Sequence, residues 1–182
     1  QGGIMNYLKI EHEDVCNGIG IRCTIWFTGC SHECAKCFNK ETWDHNSGIP
    51  LDNEAKQEIF NELSKDYISG ITLTGGDPLY KYNLTDVLSL LNQIRLSYPT
   101  KTIWLYTGYT LEQILQPLLI NTIPTEEEEK RIDIVKMVDV LVDGPYVDAQ
   151  RDVAAKWRGS TNQRVINIPE TLKQQKVVLY CD

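Results

Sequence analysis

Apolar residues fall along this chain in two alternating rhythms. Short β-branched or aromatic runs read as buried strands: Ile21–Phe27 (IRCTIWF), residues 71–74 (ITLT), Thr102–Tyr106 (TIWLY) and residues 138–142. Between them apolar residues recur at helical spacing. Asp52 is a candidate N-cap for a helix through Lys65 carrying Ala55, Ile59, Phe60 and Leu63. Asn83 is placed to cap a second helix with Leu84, Val87, Leu88, Leu91 and Ile94, ending near Tyr98-Pro99. Thr110 with Gln113, and Thr125 with Glu128, spell capping boxes for two more. The tail, residues 164–168 and 176–180, reads as two further short strands.

Strands alternating with helices indicate α/β architecture and a mainly parallel sheet. Four predicted strands run into loops rich in Cys, Gly, Thr or Asp: the loop after Phe27, Gly75-Gly76-Asp77-Pro78, Thr107-Gly108-Tyr109 and Asp143-Gly144-Pro145. In α/β folds such loops gather at one end of the sheet and build the site. The units are too few for a full barrel of about 250 residues, so the expectation is a partial, open β/α barrel. One domain over residues 5–182 is expected. Residues 1–4 read as a cloning scar and short N-terminal extension.

Composition narrows the classes. The 182 residues are 42 % hydrophobic and 24 % charged, an ordinary globular mixture, and the net charge of −7 speaks against a broad nucleic-acid face. No apolar stretch approaches the roughly 20 residues that span a bilayer, so no membrane role is expected. The run of four glutamates at 126–129 suits a helix start, where the dipole favours negative charge; an acidic partner patch is the rival reading. Trp26, Trp43, Trp104 and Trp157 read as packing residues.

Six cysteines, three of them clustered, favour metal ligation in a reducing compartment such as the cytoplasm over a disulfide framework. Cys30, Cys34 and Cys37 have C-x3-C-x2-C spacing directly after a strand. Three thiolates so placed can hold three irons of a four-iron cluster and leave the fourth open, whereas electron-transfer clusters normally take four cysteines. A zinc site is one rival, with His32 or His45 as the extra ligand, and a Cys34/Cys37 dithiol is another. Cys16, Cys23 and Cys181 follow no ligand spacing and read as small buried hydrophobes. In Gly75-Gly76-Asp77-Pro78, the glycines permit close backbone approach, and Asp77 adds a charge that favours a ligand ammonium group.

The cysteine spacing after the first of these strands, and a Gly-Gly-Asp motif after the second, resemble the radical S-adenosylmethionine superfamily. Within it the chain is similar to the glycyl-radical activases that serve anaerobic ribonucleotide reductase. The similarity is carried by Met5-Asn6-Tyr7, by residues 17–22 (NGIGIR) and by the segment from Gly29-Cys30 to Cys37-Phe38-Asn39. It continues through Glu41-Thr42-Trp43, Gly75 to Leu79, Thr107-Gly108-Tyr109, Leu141-Val142-Asp143-Gly144 and residues 157–163 (WRGSTNQ). The resemblance implies that a 4Fe–4S cluster on Cys30, Cys34 and Cys37 binds S-adenosylmethionine at its open iron. Reductive cleavage then yields a 5′-deoxyadenosyl radical that takes a glycine Cα hydrogen from the large catalytic subunit of anaerobic ribonucleoside-triphosphate reductase. Flavodoxin is the implied electron donor.

By position, the resemblance makes Lys36, Cys37, Phe38, Gly75, Gly76 and Asp77 cofactor contacts, with Thr107, Gly108, Asp143 and Arg158 as further candidates. The superfamily places an aromatic just before the third cysteine, where this chain has Lys36; its aromatic follows as Phe38. The adenine contact therefore stays open. Asp143 has two readings, a ribose or substrate contact or a cap on the next turn. Arg158 likewise has two, a carboxylate or partner contact or a structural ion pair. The rival functions are an activase of the pyruvate formate-lyase type and a non-catalytic iron–sulfur or zinc docking module.

Overall fold

A computed structural model describes residues 5–181; the expected extension at 1–4 lies outside them. Seven strands form one sheet: β1 (Asn6–Asp14), β2 (Ile21–Phe27), β3 (Ile49–Pro50), β4 (Ile68–Gly75), β5 (Thr102–Tyr106), β6 (Val140–Asp143) and β7 (Arg164–Asn167). Five helices join them: α1 (Asn53–Leu63), α2 (Leu84–Ser97), α3 (Leu111–Leu119), α4 (Glu126–Met137) and α5 (Ile168–Gln174). The sheet order is β3-β1-β2-β4-β5-β6-β7. Only the centre is parallel, through β2-β4, β4-β5 and β5-β6. The pairings β1-β2, β1-β3 and β6-β7 are antiparallel. The architecture is thus α/β as expected, but the sheet is open and mixed rather than mainly parallel.

Two differences from the sequence reading explain that mixture. β1 escapes periodicity because only Tyr7 and Asp14 in it are buried, as an outer strand with one partly wet face allows. At the other edge, β7 stops at Asn167, whose side chain accepts from the Glu170 N–H and caps α5, with Pro169 in the first turn. The expected strand at 176–180 reduces to one bridge, Leu179 opposite Ile166. The predicted helix starts hold at Asp52, which accepts from the Ala55 N–H, and at both capping boxes. Asn83 precedes α2 without capping it; its Nδ2 donates instead to the carbonyls of Thr28 (2.8 Å) and Asp77 (3.1 Å).

Side-chain alternation along each strand separates two faces. Cys23, Ile25, Phe27, Ile71, Leu73, Ile103, Leu105 and Leu141 share one apolar cluster with Ile59, Leu63, Val87, Leu91, Ile114 and Val135 of the helices. The opposite face is smaller and more polar, with Trp104, Val140, Val142 and Val165 packed against Tyr106 and Trp157. Arg22 lies fully buried on that face. Its Nε donates to Thr72 Oγ1 (2.8 Å), and its terminal nitrogens donate to the carbonyls of Ile19, Ile71 and Thr102 and to Thr102 Oγ1. The guanidinium also sits over the Trp104 ring. A planar five-donor fork is the side chain that can satisfy so many buried acceptors at once. Burial pulls the guanidinium down to about 10, which leaves it charged at neutral pH.

Arg22→Met is expected to lower unfolding free energy by about 3 kcal/mol, because the carbonyls it satisfies stay buried without donors. Urea denaturation checks this, and Arg22→Lys should recover only part of the loss. His12 on β1 spans two carboxylates of α1, with Nδ1 2.7 Å from Glu62 Oε2 and Nε2 2.6 Å from Glu58 Oε1. Those hydrogen bonds, Glu62 first, raise the imidazole above its ordinary 6.5. A raised folded-state value stabilises fully below the unfolded value and is lost as pH rises through the folded one. The urea midpoint should therefore fall with pH above about 6.5, and His12→Gln should flatten that fall.

Candidate functional site

Register brings the loops together. Phe27 at the end of β2 pairs with Gly75 at the end of β4, so the cysteine loop and the Gly-Gly-Asp-Pro loop start side by side. The Gly76 N–H donates to the Phe27 carbonyl (2.8 Å) and the Asp77 N–H to the Gly29 carbonyl (2.8 Å). From the far side, the N–H groups of Gly29 and Cys30 donate to the carbonyls of Thr42 (2.7 Å) and Trp43 (3.1 Å). Gly75 has a φ of +103°, and a Cβ on it would lie 2.7 Å from Phe27 backbone atoms. A Cβ on Gly76 would lie 2.5 Å from the Gly29 carbonyl oxygen. Glycine is required at both positions by close strand-end approach.

Asp77 is buried, and its carboxylate faces four donors. Oδ1 accepts from the Leu79 N–H (2.8 Å), Thr107 Oγ1 donates to both oxygens (2.9 Å each), and Oδ2 accepts from the Gly108 N–H (3.0 Å). His32 Nε2 lies 2.7 Å from the same Oδ2. So engaged, the carboxylate ties three loops together rather than lining a cavity. Asp143 behaves similarly: buried, it accepts from Arg164 Nε (3.0 Å) and from the Leu111 N–H (2.8 Å) at the start of α3. Its carboxylate thus ties the start of α3 and Arg164 to the end of β6.

The three thiols Cys30, Cys34 and Cys37 line a cavity of about 130 Å³ with His32, Gly75, Gly76, Thr107, Gly108 and Gly144. Burial pushes the Cys30 thiol up to about 11 and also raises Cys34. A cation in the cavity would draw these thiols into the thiolate form and release protons. Glu33 (φ +45°) and Lys36 (φ +57°) hold left-handed backbone without being glycine, so strain concentrates between the cysteines. A second cavity of about 390 Å³ shares Asn39, Thr74 and Tyr106 with the first and is walled by Trp26, Phe38, Trp157 and Arg158. Tyr106 Oη and Arg158 Nε are buried there without hydrogen-bond partners among the described residues.

The structure thus brings Cys30, Cys34, Cys37, Gly75, Gly76, Thr107 and Gly108 around one cavity. Phe38 and Arg158 line the adjoining one. Phe38 packs near Tyr146 (5.2 Å between centroids) and under the Arg151 guanidinium. Lys36 points away, 76 % exposed in its side chain and paired with Asp148 at 2.8 Å. Thr74 and Tyr106 join the site unannounced, although their place at strand ends, facing away from the helices, was a signal; Gly144 comes from the expected Asp-Gly-Pro loop. Cys23 is buried as expected, but Cys16 is exposed. His45 stacks with Tyr82 at 4.8 Å and is absent from the thiol cavity.

These features test what the site can hold. Among the described residues, no three His, Cys, Asp or Glu side chains gather tightly enough for one metal ion. The thiols instead spread around a cavity wall, a donor set of soft sulfur that suits a multinuclear iron–sulfur group. Backbone free of Cβ atoms and two orphaned donors leave room and polarity for a small molecule beside it. Comparison with known proteins gives the class: residues 16–166 match the family described as a 4Fe-4S single cluster domain. The chain is also 40 % identical over 163 residues to the anaerobic ribonucleoside-triphosphate reductase-activating protein of Escherichia coli K12, covering 88 % of this chain and 97 % of that one. The Enterobacteria phage T4 protein of the same name is 39 % identical, over 88 % and 93 % of the two chains. That of Haemophilus influenzae is 35 % identical, over 87 % and 96 %. The chain belongs to the anaerobic ribonucleoside-triphosphate reductase-activating proteins. Among the described residues no helix is long and apolar enough to cross a membrane.

Gly76→Ala should press its Cβ onto the Gly29 carbonyl and displace the start of the cysteine loop. The expected outcome is a folded protein by circular dichroism that takes up well under half the wild-type iron on anaerobic reconstitution.

Proposed function

We propose that this chain is a radical S-adenosylmethionine enzyme that makes a glycyl radical on the large subunit of anaerobic ribonucleoside-triphosphate reductase. The observation that carries the reading is the meeting of three thiols from one loop with the glycine-lined ends of three neighbouring strands. In it Cys30, Cys34 and Cys37 hold a 4Fe–4S cluster and leave one iron free of protein ligands. Cluster and S-adenosylmethionine, when bound, supply a 5′-deoxyadenosyl radical that removes a glycine Cα hydrogen from the partner, a reaction whose hard chemistry belongs to the cofactors.

The protein's own contribution is positional. Gly75 and Gly76 let backbone approach the cofactor, and Thr107 and Gly108 close the wall beside them. Asp77 acts through those neighbours, since its oxygens are already engaged. Phe38 extends the wall toward the second cavity. Lys36 reaches the cofactor only by leaving Asp148. Tyr106 and Arg158 line that cavity, and each keeps a buried donor without a hydrogen-bond partner among the described residues. The strand ends and loops around both cavities form the wall of a partial barrel, which limits the access of water to a reactive intermediate. A flavodoxin in the same reducing cytoplasm supplies the electron.

Cys30→Ala, Cys34→Ala and Cys37→Ala should each abolish reductive formation of 5′-deoxyadenosine by the reconstituted protein, while Cys16→Ala retains it. Mixed anaerobically with the reductase subunit, the wild type should give the electron paramagnetic resonance doublet of a glycyl radical. Full cleavage without Cys34, or a stable zinc site with no cleavage, would refute the reading.

A further inference from the structure

His32 stands between two proposed ligands, Cys30 and Cys34, yet its ring is committed elsewhere. Nε2 lies 2.7 Å from Asp77 Oδ2. An ionised carboxylate only accepts, so the imidazole donates here. The ring meets Tyr109 edge-on, with centroids 4.6 Å apart. It also lies so close to Gly108 that a Cβ there would come within 2.4 Å of Cδ2. His32 is therefore clamped by two strand-end loops, while Asp77 is itself held by Thr107, Gly108 and Leu79. The loop it belongs to carries the left-handed residues Glu33 and Lys36. Such a segment keeps its shape only when its surroundings over-determine it. Lys36 also ties this stretch to Asp148, but that ion pair is exposed and correspondingly weak.

We infer that His32 is a positioning residue. Through its hydrogen bond to Asp77 it latches the cysteine loop onto the Gly-Gly-Asp and Thr-Gly loops, and so holds Cys30 and Cys34 in place before iron arrives. This rests on the ligand reading above but is tested apart from it. In the metal-free protein, His32→Ala should speed amide hydrogen exchange over residues 30–38 by about tenfold or more, the effect of losing one hydrogen bond to a charged group. His32→Gln, which keeps a donor, should recover most of the protection. Asp77→Asn also disturbs the bonds to Thr107, Gly108 and Leu79 and so costs more by itself. Combined with His32→Ala, its cost should fall clearly short of the sum of the two single effects, as expected for partners in one interaction. Reconstituted His32→Ala should also lose its cluster to a chelator about tenfold faster and show an altered resonance spectrum of the reduced cluster, both restored by His32→Gln. Should His32→Ala not fold, His32→Phe keeps the contact with Tyr109 without the donor and gives the same comparison. Wild-type exchange rates in the variant lacking the donor, or no rescue by glutamine, overturn the inference. A wild type that takes up no iron overturns the function reading instead, and leaves the exchange result to decide this one.

Discussion

One buried carboxylate organises the working end of this protein. Asp77 is withdrawn from water, so its charge must be met by donors, and no single loop supplies enough of them. The donors come from the Leu79 N–H on its own loop, from Thr107 and Gly108 after β5, and from His32 in the cysteine loop. Satisfying that charge forces three strand ends to assemble in one arrangement. The thiols and the glycine-lined wall meet as a consequence. A second buried carboxylate, Asp143, repeats the logic two strands over, fixing α3 and Arg164 beside Gly144.

The two faces of the sheet divide the labour. The helix-covered face is an apolar cluster and carries most of the burial. The other face trades apolar area for polar specificity: Arg22 joins Thr72, Ile71 and Thr102, locking β2, β4 and β5 in register. Register in turn sets Phe27 opposite Gly75, the pairing on which the site's geometry depends. A slip by one residue would turn Trp26 and Thr74 toward the helices and separate the cysteine loop from the glycines. The fully satisfied arginine guards against that slip at the cost of burying a charge.

Much of this was legible beforehand, for identifiable reasons. Buried central strands announce themselves as continuous β-branched runs, and α1, α3 and α4 carry side-chain caps that act locally. Three cysteines within eight residues are bound to lie close in space whatever the fold around them. β1 was not legible, because its mostly wet residues leave no apolar period. Asn83 misled because it has a capping residue's chemistry, while a neighbouring loop offers its amide two carbonyls. Lys36 was carried to the cofactor by its place beside Cys37, whereas its left-handed backbone accompanies a side chain turned outward to Asp148.

The sequence by itself determined the element types, the ligand-like thiol triplet and the glycines that permit close approach. These depend on contacts within a few residues or on the chemistry of single side chains. The tertiary structure decided the antiparallel edges, the donors that meet Asp77 and Asp143, and the clamping of His32. Apart from the Leu79 N–H, the partners of Asp77, Asp143 and His32 in these bonds lie 21 to 45 residues away in the chain. A buried polar side chain takes whichever donors the packed core brings within about 3 Å. No local pattern encodes which donors those will be.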